Sequence, residues 1–150
     1  MGETIEKLVP DTSVIIEGLL SEQLEKKELD IKEIIIHEAV VAELEHQANI
    51  GKASGFLGLD EIKKIREMAP NYEFILTFSG RRPGSGEIKY AKLGEIDAMI
   101  RQLAWEQGAT LLTGDKTQAR VAEAKGLPVI LVFKEKAITL LKLEKFFDEK

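Results

Sequence analysis

Apolar residues recur along this chain in short β-branched runs separated by longer stretches of helical spacing. Ile5 to Val9 reads as a short strand bounded by Pro10, and Val14 to Leu20 as an apolar helix whose start Asp11, Thr12 or Ser13 can cap. Ser21 to Lys32 is charge-rich and reads as helix plus connection. Glu33 to His37 holds three successive isoleucines, the pattern of a buried strand. Val40, Val41, Leu44 and Ala48 then mark a helix from Glu38 to about Asn49. Gly51 to Gly58 predicts a break, Leu59 to Met68 a helix ended by Pro70-Asn71, and Glu73 to Phe78 a third strand with a weaker claim to the interior.

Ser79 to Gly86 carries three Gly, one Pro and two adjacent Arg, and predicts a mobile loop. Beyond it, Ile96, Met99, Ile100, Leu103 and Gln107 place a stripe on a helix from Glu95 to Gln107, and Ala109 to Thr113 reads as a strand closed by Gly114-Asp115. Lys116 to Lys125 predicts a further helix and Pro128 to Phe133 a last buried strand. Ile138 to Phe147 reads as strand then helix or as a connector, so residues 134–150 are set apart as a C-terminal extension of one domain covering 1–150. Strands alternating with helices predict a three-layer α/β/α sandwich around a mainly parallel sheet of four or five strands.

Composition narrows the chemistry. The absence of Cys excludes disulfides, thiolate zinc sites and cysteine nucleophiles, and only two His remain for imidazole chemistry. No apolar run reaches the roughly 20 residues of a membrane span, and no signal peptide opens the chain, so a cytoplasmic protein is expected. A net charge of −5 argues against gripping nucleic acid by bulk electrostatics. Acids clustered around divalent cations would reconcile that sign with a nuclease.

Ligands of an open parallel sheet bind beyond the carboxyl ends of its strands. That rule selects Asp11 after the first strand and Asp115 after the Leu111-Leu112-Thr113 strand, while Glu43 and Asp97 border the apolar stripes of their helices. Taken singly, each reads better as a helix cap or a solvated flank. Converging, the four would repel one another unless protons or cations were bound, and hard oxygen donors favour Mg2+ or Mn2+. Such ions serve phosphodiester hydrolysis.

Four segments carry a resemblance. Val9-Pro10-Asp11-Thr12-Ser13-Val14-Ile15-Ile16, Val41-Ala42-Glu43-Leu44, Gly94-Glu95-Ile96-Asp97-Ala98-Met99-Ile100 and Leu112-Thr113-Gly114-Asp115-Lys116 together resemble the PIN domain family over about Leu8 to Val132. The resemblance implies a metal-dependent ribonuclease fold with Asp11, Glu43, Asp97 and Asp115 as the acidic quartet, and single-stranded RNA as substrate. It makes Thr113 the hydroxyl that steadies the site, and Thr12 and Ser13 those after the first acid. The Arg81-Arg82-Pro83 loop and the Asp97 segment look more like the PIN module joined to an ATPase in archaeal proteins than like compact toxin ribonucleases.

The alternatives are an RNA-binding or oligomerisation module of a larger ATPase machine, and the toxin of a toxin-antitoxin pair. Arg81, Arg82, Lys116 and Arg120 are candidate phosphate contacts, the last two better placed beside Asp115. Gly80 to Lys89 lacks P-loop spacing, so no nucleotide triphosphate site is expected there. Glu43-x-x-His46 is half of a di-iron motif without a second copy, His37 reads as structural, and Trp105 and the six Phe read as core. Apolar surfaces on the second and third helices point to a homodimer.

Overall fold

The computed structural model describes residues 4–91 and 94–133. Five parallel strands form one sheet: β1 (Thr4–Pro10), β2 (Asp30–His37), β3 (Ile75–Ser79), β4 (Thr110–Thr113) and β5 (Val129–Leu131), in the order β3-β2-β1-β4-β5. The helices are α1 (Thr12–Ile16), α2 (Leu19–Glu25), α3 (Glu38–Asn49), α4 (Ala53–Tyr72), α5 (Ser85–Lys89), α6 (Glu95–Gln107) and α7 (Lys116–Ala124). The right-handed crossover rule places α1, α2 and α4 on one face and α6 and α7 on the other; α1, α2 and α4 contact one another, α6 packs on β1, β2 and β4, α7 packs on β4 and β5, and α3 touches α4, α5 and α6. This is the three-layer parallel sandwich that the alternation of strands and helices predicts.

The predicted core strands are the most deeply buried. Leu8, Val9, Ile34, Ile36, Leu111 and Leu112 are fully enclosed, since crossovers cover both faces of a parallel sheet. β3 is an edge strand that leaves Ile75 and Phe78 exposed. The last strand is shorter than Pro128 to Phe133, and the Ile138–Phe147 expectation lies outside the described residues. Among the described residues, no helix is long and apolar enough to cross a membrane.

Three helix boundaries differ from the sequence reading. The single helix expected from Val14 to Leu20 is two, because Gly18 adopts φ 70° between α1 and α2, a conformation that glycine takes without steric cost. The break expected at Gly51 to Gly58 ends at Lys52, and Gly55 and Gly58 lie inside α4. They are contact glycines: a Cβ on Gly55 would stand 2.3 Å from the Ala48 amide nitrogen, and one on Gly58 2.4 Å from a Leu44 methyl. Pro70 sits in the last turn of α4 rather than ending it, where it removes a single intrahelical bond.

Glu61, in α4, is an acid that a helical pattern assigns to solvent, yet it is buried. Gly18 offers α2 no side-chain cap, and Glu61 supplies one from across the layer, accepting from the Ser21 amide and the Ser21 hydroxyl, both at 2.8 Å. Glu61→Ala is therefore expected to lower stability by about 2 kcal/mol, because it strands a buried N–H that now bonds a carboxylate. A urea midpoint within error of wild type would show that α2 is capped by other means.

Candidate metal and nuclease site

The strand order reverses between β1 and β4, and that crevice is where a parallel sheet receives its ligand. The two strands are joined to their carboxyl ends, where the Asp11 amide donates to the Leu112 carbonyl at 2.9 Å. Asp11 caps α1 and Asp115 caps α7. Both acids thus sit at matched strand-to-helix turns because each short polar side chain satisfies a helix start.

Two hydroxyls tie these turns together. Ser13 Oγ donates to Asp11 Oδ1 at 2.7 Å and accepts from the Gly114 amide at 3.2 Å. Thr113 Oγ1 donates to Asp11 Oδ2 and accepts from the Asp115 amide at 3.0 Å. With the Val14 amide also on Oδ1, that oxygen is saturated, and one lone pair remains on Oδ2 of a carboxylate only 1% exposed. Asp115 is more open, and its Oδ1 takes both cap bonds, from Thr117 and Gln118.

Glu43 from α3 and Asp97 from α6 are half-buried. Burial pushes the Asp11 carboxyl up to about 6, against the lowering hydrogen bonds of Ser13, Thr113 and Val14, and Asp97 adds to the rise. Burial likewise raises Glu43, with Thr12 and His46 opposing and Asp97 adding; it raises Asp97, with Asp115 adding and Arg101 opposing. Asp97 is thus the acid through which the four sense one another.

Thr12 Oγ1 lies close enough to Glu43 to hold its carboxyl down, but falls short of hydrogen-bond geometry. It is buried without a hydrogen-bond partner among the described residues.

No three His, Asp or Glu side chains among the described residues stand close enough together to hold a metal ion. The donor set nevertheless fits a hard divalent cation. By chemistry it consists of carboxylates that burial first and neighbouring carboxylates second have raised, with the buried Thr12 hydroxyl, which has no hydrogen-bond partner among the described residues, on the Glu43 side.

The candidate phosphate contacts separate into two groups. Arg81 makes a two-pronged bond to Glu87 at 2.9 and 2.8 Å, and Arg82 pairs with Glu45. The predicted loop thus has both its arginines committed to carboxylates, and it passes into α5. Lys116 and Arg120 are exposed on the first turns of α7 beside Asp115.

His37 is structural, as its position after a strand suggested. It caps α3, its Nδ1 accepting from the Ala39 amide at 2.9 Å, and burial first and Arg81 second lower its pKa.

Two residues with no part in the sequence argument hold the site together. Gln118, buried in α7, accepts from Arg101 and donates from Nε2 to the Asp97 carbonyl at 3.3 Å, fixing α6 against α7. The i, i+4 spacing of Asp97 and Arg101 was the available signal for the counter-charge. One expectation is corrected: Trp105 is not core but 58% exposed, and Phe56 and Phe78 are exposed as well. Trp105 lies on the flank of α6 that faces a groove rather than the sheet.

Comparisons with known proteins bear on this arrangement. The PIN domain family model matches residues 8–124. The chain is similar to an uncharacterized KH and PIN-domain containing protein of Methanocaldococcus jannaschii, 41% identical over 143 residues that make up 95% of this chain and 22% of that protein. It is also similar to the Holliday junction branch migration ATPase PINA of Sulfolobus acidocaldarius, 28% identical over 142 residues, 95% of this chain and 26% of that one. Among solved structures, a domain of a functionally unknown protein from Methanocaldococcus jannaschii superposes with a TM-score of 0.81 at 42% identity, covering 85% of this chain and 91% of that chain. The chain spans about a quarter of the length of the two curated relatives.

Proposed function

The chain belongs to the PIN domain family, a nuclease fold in general, and from that premise we propose that it is a Mg2+- or Mn2+-dependent endoribonuclease acting on single-stranded RNA. The observation that supports the reading is electrostatic: Asp97 adds to the rise of both Asp11 and Glu43, and Asp115 adds to that of Asp97, with Asp11 and Asp115 at the carboxyl ends of the neighbouring strands β1 and β4. In this reading those four acids hold the ion. A divalent ion bound there supplies polarisation of a phosphoryl oxygen and a lowered pKa for water.

The chain's own residues do the positioning. Ser13, Thr113 and the Val14 amide lock the Asp11 carboxylate so that its remaining lone pair has one direction, and Gln118 fixes the backbone beneath Asp97. Thr12 brings a buried hydroxyl to the Glu43 side. In this reading the phosphate contacts are Lys116 and Arg120, by their position on the first turns of α7 beside Asp115.

Labelled single-stranded RNA incubated with Mn2+ should be cleaved internally, and excess EDTA should stop the cleavage completely. Cleavage that persists in EDTA would exclude the acid quartet as its cause.

A second reading, a nucleic-acid-binding or oligomerisation module of a larger ATPase machine, draws on the length of the relatives, one of them a branch migration ATPase. Retention of RNA without metal-dependent product favours it. Ile50, Phe56 and Leu57, exposed where α3 meets α4, are the surface such a module has for a homodimer.

A further inference from the structure

The outer surfaces of α6 and α7 leave a cavity of about 370 Å3 whose lining includes Ala98, Arg101, Trp105, Ala122, Lys125 and Leu127. Its floor is apolar, since Ala122 and Leu127 are buried, and an exposed indole and two cations stand at its rim. Among the described residues no carboxylate lines it, although the chain carries a net charge of −5. Arg101 hydrogen-bonds the uncharged Gln118 amide and acts on Asp97 only as a neighbouring charge, with no ion pair among the described residues, and Lys125 makes no ion pair with them either. A large exposed aromatic between two cations suits a ligand with flat apolar faces joined by negative charge.

The groove adjoins Asp97 through its lining residues. Ala98 follows Asp97, and Gln118 joins Arg101 to the Asp97 carbonyl. Trp105 lies seven positions after Ala98, about 10 Å along α6. On the opposite flank of α6 a second groove is lined by His37, Arg81 and Glu106, but Arg81 is committed to Glu87 and Glu106 adds negative charge. Of the two, only the α6–α7 groove matches a polyanion.

We propose that the α6–α7 groove is a subsite for the RNA strand next to the scissile phosphate, in which a base stacks on Trp105 while backbone phosphates lie against Arg101 and Lys125. For the identity of the ligand this rests on the ribonuclease reading, but its test needs no cleavage. Trp105 is the single tryptophan of the chain, so its emission reports this groove alone.

A single-stranded oligouridylate of about ten nucleotides, titrated in EDTA, should quench that emission saturably, in step with the anisotropy of the same RNA carrying a dye. Trp105→Ala should weaken binding roughly ten-fold, the loss of one stacked base, with the melting temperature unchanged because the ring is exposed. Lys125→Ala should reduce the slope of log K against log salt by about 0.7, the loss of one phosphate contact on a single strand.

Emission that stays constant while anisotropy rises would overturn the proposal, as would a Trp105→Ala protein that binds as tightly as wild type, or RNA that does not bind at all. Emission that depends on protein concentration without RNA would instead assign the groove to a second copy and overturn it equally. Quenching without metal-dependent cleavage would fail the nuclease reading and leave the groove standing. Cleavage without quenching would do the reverse.

Discussion

Asp11→Asn is expected to reduce Mn2+-dependent RNA cleavage by roughly a thousand-fold while making the metal-free protein more stable at neutral pH. The first effect follows from removing the charge of the most buried acid at the crevice. The second follows from the cost of keeping that charge. Burial raises the Asp11 carboxyl from 3.8 to about 6, so between those two pH values the folded chain binds a proton that the unfolded chain has released. Wild-type stability from this group is therefore fullest below about pH 4, falls as pH rises through about 6, and stays reduced above it.

The cost above pH 6 is on the order of 3 kcal/mol, part of which Asn recovers; it keeps an oxygen for the Val14 amide but cannot take the Thr113 hydroxyl as the carboxylate does. Metal-free melting at pH 8 should accordingly give Asp11→Asn a transition a few degrees above wild type, with the difference shrinking to nothing near pH 4. Mn2+ at a hundred times its Kd should raise wild-type stability by about 2.7 kcal/mol and leave the variant unmoved. A variant less stable than wild type at pH 8, and equally responsive to Mn2+, would remove Asp11 from the ion's ligands.

Much of the site was legible because its frame is periodic. The β-branched runs at Ile5 to Val9 and Ile34 to Ile36 fix buried parallel strands, and a parallel sheet then dictates that acids just past Val9-Pro10 and Thr113-Gly114 reach the same edge. Glu43 and Asp97 were harder. A helical acid beside an apolar stripe has the same local pattern whether it faces solvent or a crevice, and resemblance to a family supplied what periodicity lacked.

Glu61 defeats the same reasoning from the other direction. Nothing in its own helix says that Gly18 has left α2 without a cap. Trp105 was misplaced because size and hydrophobicity favour the interior, whereas its position on α6 points it away from the sheet. Gln118 carries no chemistry of its own, and its role exists only where α6 and α7 meet.

The glycines of α4 show how a packing requirement can imitate a turn signal, and they carry the largest expected loss of stability. Gly55 and Gly58 read as a break because glycine weakens a helix by roughly 1 kcal/mol relative to alanine. By propensity alone, alanine at either position should stabilise. Contact geometry reverses the sign at Gly55, where a methyl would meet the Ala48 amide nitrogen at 2.3 Å, the Leu44 carbonyl oxygen at 2.6 Å and the Ala48 Cα at 2.8 Å. All three are backbone, so α3 and α4 must move apart as bodies.

At Gly58 the obstacle is the far end of the Leu44 side chain, which can turn, and the residue before Leu44 is Glu43. Gly55→Ala is thus expected to destabilise by about 3 kcal/mol, a fall in Tm of roughly 10 °C. Gly58→Ala should lose less than half as much and become less costly still when combined with Leu44→Val, a coupling that Gly55→Ala should not share. Differential scanning calorimetry on wild type, the three single variants and the two doubles with Leu44→Val decides the matter: equal losses at the two glycines would mean that α3 sits against α4 through side chains alone.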